Sequence, residues 1–149
     1  MSISDNIAEI RERIAAAAQR AGRNPADIAL MAVCKTFPAE AILEAYAAGQ
    51  RLFGENRVQE FADKFPQVAD LRDAHFHMIG HLQSNKTAAA AEIFQAIDSV
   101  DSAKLAQRLN DSAQKLGKTV DVLIEINVGG EEAKSGLAPD SLEIDAILA

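Results

Sequence analysis

Lysine 35 is the residue that most invites a chemical reading. It ends the apolar run Ile28-Ala29-Leu30-Met31-Ala32-Val33-Cys34, where an ammonium is expected to be partly desolvated, and desolvation lowers a lysine pKa. A neutral amine can attack an aldehyde and hold it as an imine. The simpler alternative is that Lys35 snorkels past the end of the run and caps a nearby carboxylate. Other polar residues follow short apolar runs in the same manner: Gly54-Glu55-Asn56-Arg57 after Phe53, Gly80-His81 after His77-Met78-Ile79, and Gly129-Gly130 after Val128. His75, His77 and His81 raise a zinc reading, but Gly80 breaks any helix that would align the last two and no spaced carboxylate completes a shell. Asp98 with Asp101, and Glu131 with Glu132, have the spacing of acid–base pairs, although helix caps and solvated loop charges explain them more simply. Lys86 and Lys134 could pair with phosphate or with an acidic partner, but a surface position of slight energetic value is the simpler reading of each.

The elements that position these groups alternate in type. Ile3, Ile7, Ile10 and Ile14 recur at helical spacing behind the capping-box-like Ser2-Ile3-Ser4-Asp5, predicting a helix over 4–21 stopped by Gly22 and Pro25. The run 28–34 is short and nearly all apolar, as suits a parallel strand covered on both faces. A helix follows from Pro38 to Gly49, a strand over 51–54, a helix from Val58 to Pro66, and a strand over 75–79. The pattern continues with a helix over 84–91, a strand over 94–97 and a helix through Leu105, Leu109, Ala113 and Leu116 that Gly117 closes. Residues 120–128 read as a long strand with Val120, Val122, Ile124, Ile126 and Val128 on one face, and 140–148 as a last helix. Strict alternation of this kind implies parallel strands joined by right-handed crossovers, so the class is α/β. In such folds the chemistry sits at the carboxyl ends of the strands.

Composition narrows the function classes. The chain has 149 residues, 48% of them hydrophobic, and a net charge of −7 from 15 basic and 22 acidic residues. That balance argues against a broad nucleic-acid-binding face, and no apolar stretch is long enough to span a bilayer. The single cysteine, Cys34, allows no internal disulfide, which fits a reducing, cytoplasmic compartment. If Lys35 points into the sheet's inner face, alternation turns Cys34 toward the helices as a small buried thiol.

Four blocks in order carry a family resemblance: Val33-Cys34-Lys35-Thr36, the octad Phe53 to Glu60, the string His77-Met78-Ile79-Gly80-His81-Leu82-Gln83-Ser84-Asn85-Lys86, and Lys134-Ser135-Gly136. Together they resemble the pyridoxal phosphate homeostasis protein family over essentially the whole chain. The resemblance implies a partial (β/α) TIM-type barrel like the alanine racemase N-terminal domain, with about five of the eight strands of a complete barrel. Residues 1–149 would then form the N-terminal portion of one barrel domain. The expected cofactor is pyridoxal 5'-phosphate, held as a Schiff base on Lys35, with Asn56, His77, Ile79 and Gly80 lining it and no catalytic residue assigned. The implied role is intracellular homeostasis of the cofactor without robust turnover, with cofactor-requiring enzymes as recipients and neither nucleic acid nor membrane as partner. Two alternatives remain open: a racemase-like enzyme acting on amino acids, and an inactive fragment that associates with a partner. Complete family barrels have roughly 250 residues, so a chain of this length is expected to lack the later phosphate-cradling segments and to oligomerise through its open edges. Relatives commonly carry serine where Cys34 stands.

Overall fold

The computed structural model describes residues 2–131 and 133–149. Five parallel strands lie side by side in chain order: β1 (Met31–Val33), β2 (Leu52–Glu55), β3 (His75–Met78), β4 (Ala96–Val100) and β5 (Asp121–Ile124). Six α-helices accompany them among the described residues: α1 (Ile3–Arg20), α2 (Ala39–Ala47), α3 (Val58–Val68), α4 (Thr87–Ile93), α5 (Ala103–Lys115) and α6 (Glu143–Leu148). Consecutive pairing of parallel strands through helical crossovers is the α/β order predicted from the alternation.

The core lies between the sheet and the helices. Phe61 of α3 sits in its middle, with ring centroids 4.8 Å from Phe76 and 4.9 Å from Phe94, and Phe53 stacks on Phe76 at 5.4 Å. Ile42, Met78, Ile97, Val100, Leu105 and Leu109 complete the same cluster. Alternation along the strands explains the composition: Phe53, Phe76, Met78 and Ile97 share the helix-facing side, set by the registers Phe53↔Phe76 and Met78↔Ile97. The opposite face carries Met31, Val33, Leu52, His75, His77 and Leu123, and it is only partly covered, with Val33 45% and Leu123 61% exposed. The expectation that 28–34 is covered on both faces is therefore corrected. β1 is a three-residue edge strand, and β5 forms the other edge of the sheet.

Helix ends follow local chemistry. Ser2 caps α1 in a full capping box with Asp5, and Ser102 caps α5 by accepting from the Leu105 amide. α3 runs through Pro66 and ends two residues later at Val68, although Pro66 has no amide to donate to the preceding turn. The segment 84–91 divides into a 3₁₀ turn, Ser84–Lys86, and α4.

The bounds of every strand differ from those expected, and β4 and β5 show the physical reason. Phe94 ends α4 instead of starting β4, since its amide bonds to Ala90, and the strand extends to Val100. The long strand expected over 120–128 is only Asp121–Ile124. A register shift between Ile97 and Val100 disturbs its pairing with β4, and Ile126 turns to an isolated bridge with Leu137. Val128 ends 83% exposed. No helix among the described residues is long and apolar enough to cross a membrane.

Candidate functional site at the carboxyl ends of the first three strands

The pairing of β1 with β2 continues one residue past Val33, where the Cys34 amide donates to the Gly54 carbonyl at 2.9 Å. The chain then closes a four-residue turn: the Phe37 amide donates to the Cys34 carbonyl at 3.0 Å, leaving Lys35 and Thr36 as its two exposed central residues. Lys35 is thus presented at the carboxyl end of β1, before Pro38 opens α2. Its exposure corrects the expectation of partial desolvation: the apolar run ends at Cys34, and the lysine belongs to the turn rather than to the strand.

Beneath this turn lies a charged pair that reading of the sequence missed. Lys64 Nζ, from α3, donates to Glu55 Oε1 at 2.5 Å and to the carbonyls of Cys34 and Phe37, each at 3.1 Å. The Glu55 side chain is fully buried and that of Lys64 nearly so. Burial pushes the Glu55 carboxyl up from its ordinary value, while the hydrogen bond and charge of Lys64 pull it down. The available signal was positional: Lys64 stands three residues after Phe61 on the helix stripe 61, 65 and 68, where a charge needs a partner. Cys34 is buried on the helix side, as alternation predicts, and desolvation followed by the Glu55 carboxylate raises its thiol to about 11 against the opposing charge of Lys64. Such a thiol is protonated at neutral pH and is a poor nucleophile.

At the next two strand ends, β2 and β3 approach closely. The Ile79 amide donates to the Glu55 carbonyl at 2.8 Å, and a Cβ on Gly80 would lie 2.2 Å from the Asn56 carbonyl oxygen. Only glycine fits there, and Ser99 Oγ fixes it by donating to the Gly80 carbonyl at 2.6 Å. Asn56 Oδ1 is buried with no hydrogen-bond partner. Asn56 and Gly80 line one cleft together with Arg57, His81 and Lys86. The Ile79 side chain lies beside Gly54, with its Cδ1 only 3.1 Å from where a Gly54 Cβ would stand.

His77 lies opposite Gly54, one step back along the sheet, and its Nδ1 bonds the Asp98 carboxylate at 3.0 Å. Lys35, Asn56, Ile79 and Gly80 therefore gather at one end of adjacent strands, while His77 is set back and tied to β4. Asp98 and Asp101 are neither helix caps nor an acid–base pair with each other: Asp98 holds His77, and Asp101 holds His81 at 3.2 Å. His75 is exposed, so the histidine trio is dispersed. Lys134 pairs with Glu131 at 2.6 Å on the surface, and Glu132 lies outside the described residues.

Residues 6–149 match the family model of the alanine racemase N-terminal domain. The chain is 49% identical over 141 residues to the pyridoxal phosphate homeostasis protein of Pseudomonas aeruginosa, covering 95% of this chain and 61% of that one. It is 47% identical over 137 residues to the protein of the same name from Escherichia coli K12, covering 91% and 58%. Among solved structures, PipY of Synechococcus elongatus PCC7942 with PLP bound superposes with a TM-score of 0.78 at 39% identity, covering 99% of this chain and 62% of PipY. An alanine racemase from Clostridium difficile 630, at 18% identity and a TM-score of 0.67 over 82% of this chain and 32% of that one, shows likeness of fold alone. The chain thus spans about 60% of the length of the curated relatives it matches.

Proposed function

The chain belongs to the alanine racemase N-terminal domain family, and from that premise we propose that it is part of a cytoplasmic pyridoxal phosphate-binding protein that serves homeostasis of the cofactor. The observation that carries this reading is Lys35, the primary amine set on an exposed turn at the carboxyl end of β1, next to the β2 end and on the same edge of the sheet as the β3 end. The names of the 49% and 47% identical relatives and the PLP-bound PipY structure support it.

The residues present fit such a group. When bound, the aldehyde of pyridoxal phosphate would supply a carbonyl carbon that the Lys35 amine attacks, with loss of one water and formation of a reversible C=N bond. Asn56 offers an unsatisfied buried oxygen at the adjoining strand end. Gly80 keeps the backbones of β2 and β3 in close approach, and Ile79 gives an apolar wall on the open side of the sheet. His77 orients through Asp98 behind this rim rather than at it.

Holding and release, rather than turnover, suit the same geometry. The anchor is exposed, and on the open face His77 is engaged with Asp98. Enzymes that require the cofactor are the proposed recipients. The test is incubation with pyridoxal phosphate, borohydride reduction and peptide mass mapping, with Lys35→Ala as control. A reduced adduct on Lys35 that the substitution abolishes is expected; an unmodified Lys35 refutes the reading. Consumption or racemisation of an amino acid in the presence of cofactor would favour the racemase-like alternative.

A further inference from the structure

We propose that Lys64 is a positioning residue for Lys35: its ammonium clamps the Cys34–Phe37 turn and so fixes the direction in which the Lys35 amine is presented. This rests on the reading of Lys35 as the cofactor anchor and deepens it.

An ammonium has three N–H donors, and Lys64 meets three acceptors: the Cys34 carbonyl, the Phe37 carbonyl and Glu55 Oε1. The two carbonyls are the first and last of the turn whose central residues are Lys35 and Thr36. One cation thus grips both ends of the segment that carries the reactive amine. Its own place is held from two sides, by α3 and by the buried carboxylate at the end of β2. Glu55 is in turn fixed through its backbone, which accepts from the Ile79 amide at the cleft rim. The clamp therefore ties the β1 turn to the β2 end and, through the Glu55 backbone, to the β3 end beyond it.

Stability alone is a poor reason for this arrangement. Buried ion pairs commonly do no more than offset their own desolvation, and an apolar pair of similar volume would serve the core as well. What an apolar side chain cannot do is bond two carbonyls on either side of Lys35. Orientation of a reacting amine matters steeply, since a misplacement of about 1 Å can cost on the order of a hundredfold in rate.

The test uses the full 149-residue chain with pyridoxal phosphate as probe. Adduct formation is trapped by borohydride at timed intervals and mapped, while exchange of the Phe37 amide, the turn's own donor, is followed by NMR without cofactor. Wild type is expected to form its adduct on Lys35 with a protected Phe37 amide. Lys64→Met is expected to slow the Lys35 adduct by about tenfold or more and to speed Phe37 exchange relative to core amides of β2 and β3. Lys64→Arg, whose guanidinium can donate to the same acceptors, is expected to recover most of both, which a purely volumetric role would not predict. Should Lys64→Met fail to fold, the double change Lys64→Met with Glu55→Gln removes both charges and is read by the same two measurements. An unchanged adduct rate in folded Lys64→Met, or in the double variant where that is the one that folds, overturns the clamp while leaving the anchor standing, as does an adduct on Lys64 itself. Wild type without an adduct on Lys35 overturns the anchor first and the clamp with it.

Discussion

Two neighbouring residues, Cys34 and Lys35, show how one step along a strand changes chemistry. Cys34 faces the helices and is buried, and desolvation with the adjacent Glu55 carboxylate lifts its thiol to about 11. Raising an acid's pKa lowers its ionised fraction at every pH below that value, so the thiolate needed for alkylation is scarce near neutrality. Alkylation of folded protein should be slow at pH 8 and climb with pH toward about 11, whereas denatured chain should react with the profile of an ordinary thiol near pH 8.5. Equal rates for the two states would contradict the burial. Gly80 makes a second residue-scale case. A Cβ there meets the Asn56 carbonyl at 2.2 Å, so Gly80→Ala must push backbone apart and should cost about 1–3 kcal/mol, read as a lower urea midpoint at unchanged slope. An unchanged midpoint would show that the two strand ends are free to separate.

The helices and strands divide the work unequally, and α3 has the largest share. Its apolar face inserts Phe61 among Phe65, Phe76 and Phe94, while Lys64 on the next turn reaches the β1 loop. Phe61→Ala should cost roughly 3–5 kcal/mol, and Ser102→Ala, which removes the α5 cap, about 1 kcal/mol; chemical denaturation separates the two. A loss below ~1 kcal/mol at Phe61 would mean the core collapses around the gap. The order and type of these elements were legible because each helix is amphipathic with a period of 3.6, and each strand is a short apolar run between turn residues. Their limits were not. Phe94 is apolar enough for either a helix end or a strand start, and a backbone bond to Ala90 decides it. The uniform alternation of 120–128 gave no sign of the register shift beside Val100, which depends on β4 rather than on β5 itself. At the site, Lys35 stood out because it ends an apolar run, and Asn56 and Gly80 because they lie in the strings that carry the family resemblance. The pairing of Lys64 with Glu55 did not, since a buried ion pair formed across nine residues leaves only a charge on an otherwise apolar stripe.

For the molecule as a whole, the sheet has helices against one side and a half-open face on the other, bounded by edge strands β1 and β5. Leu123 and Val122 on β5, with Val128 and Leu142 nearby in sequence, remain exposed. Unpaired parallel edges with apolar side chains invite association, so the chain should self-associate with rising concentration in sedimentation velocity, and Leu123→Lys should weaken that association. A monomer at all concentrations would remove the edge from consideration. The chain spans about 60% of its curated relatives, and its matched portion carries the turn on which the account depends. The most direct measurement is the mass map after incubation with pyridoxal phosphate and borohydride. One reduced adduct is expected, on Lys35 and lost in Lys35→Ala; a map in which Lys35 is unmodified, or in which adducts scatter over surface lysines, contradicts imine formation at the β1 turn.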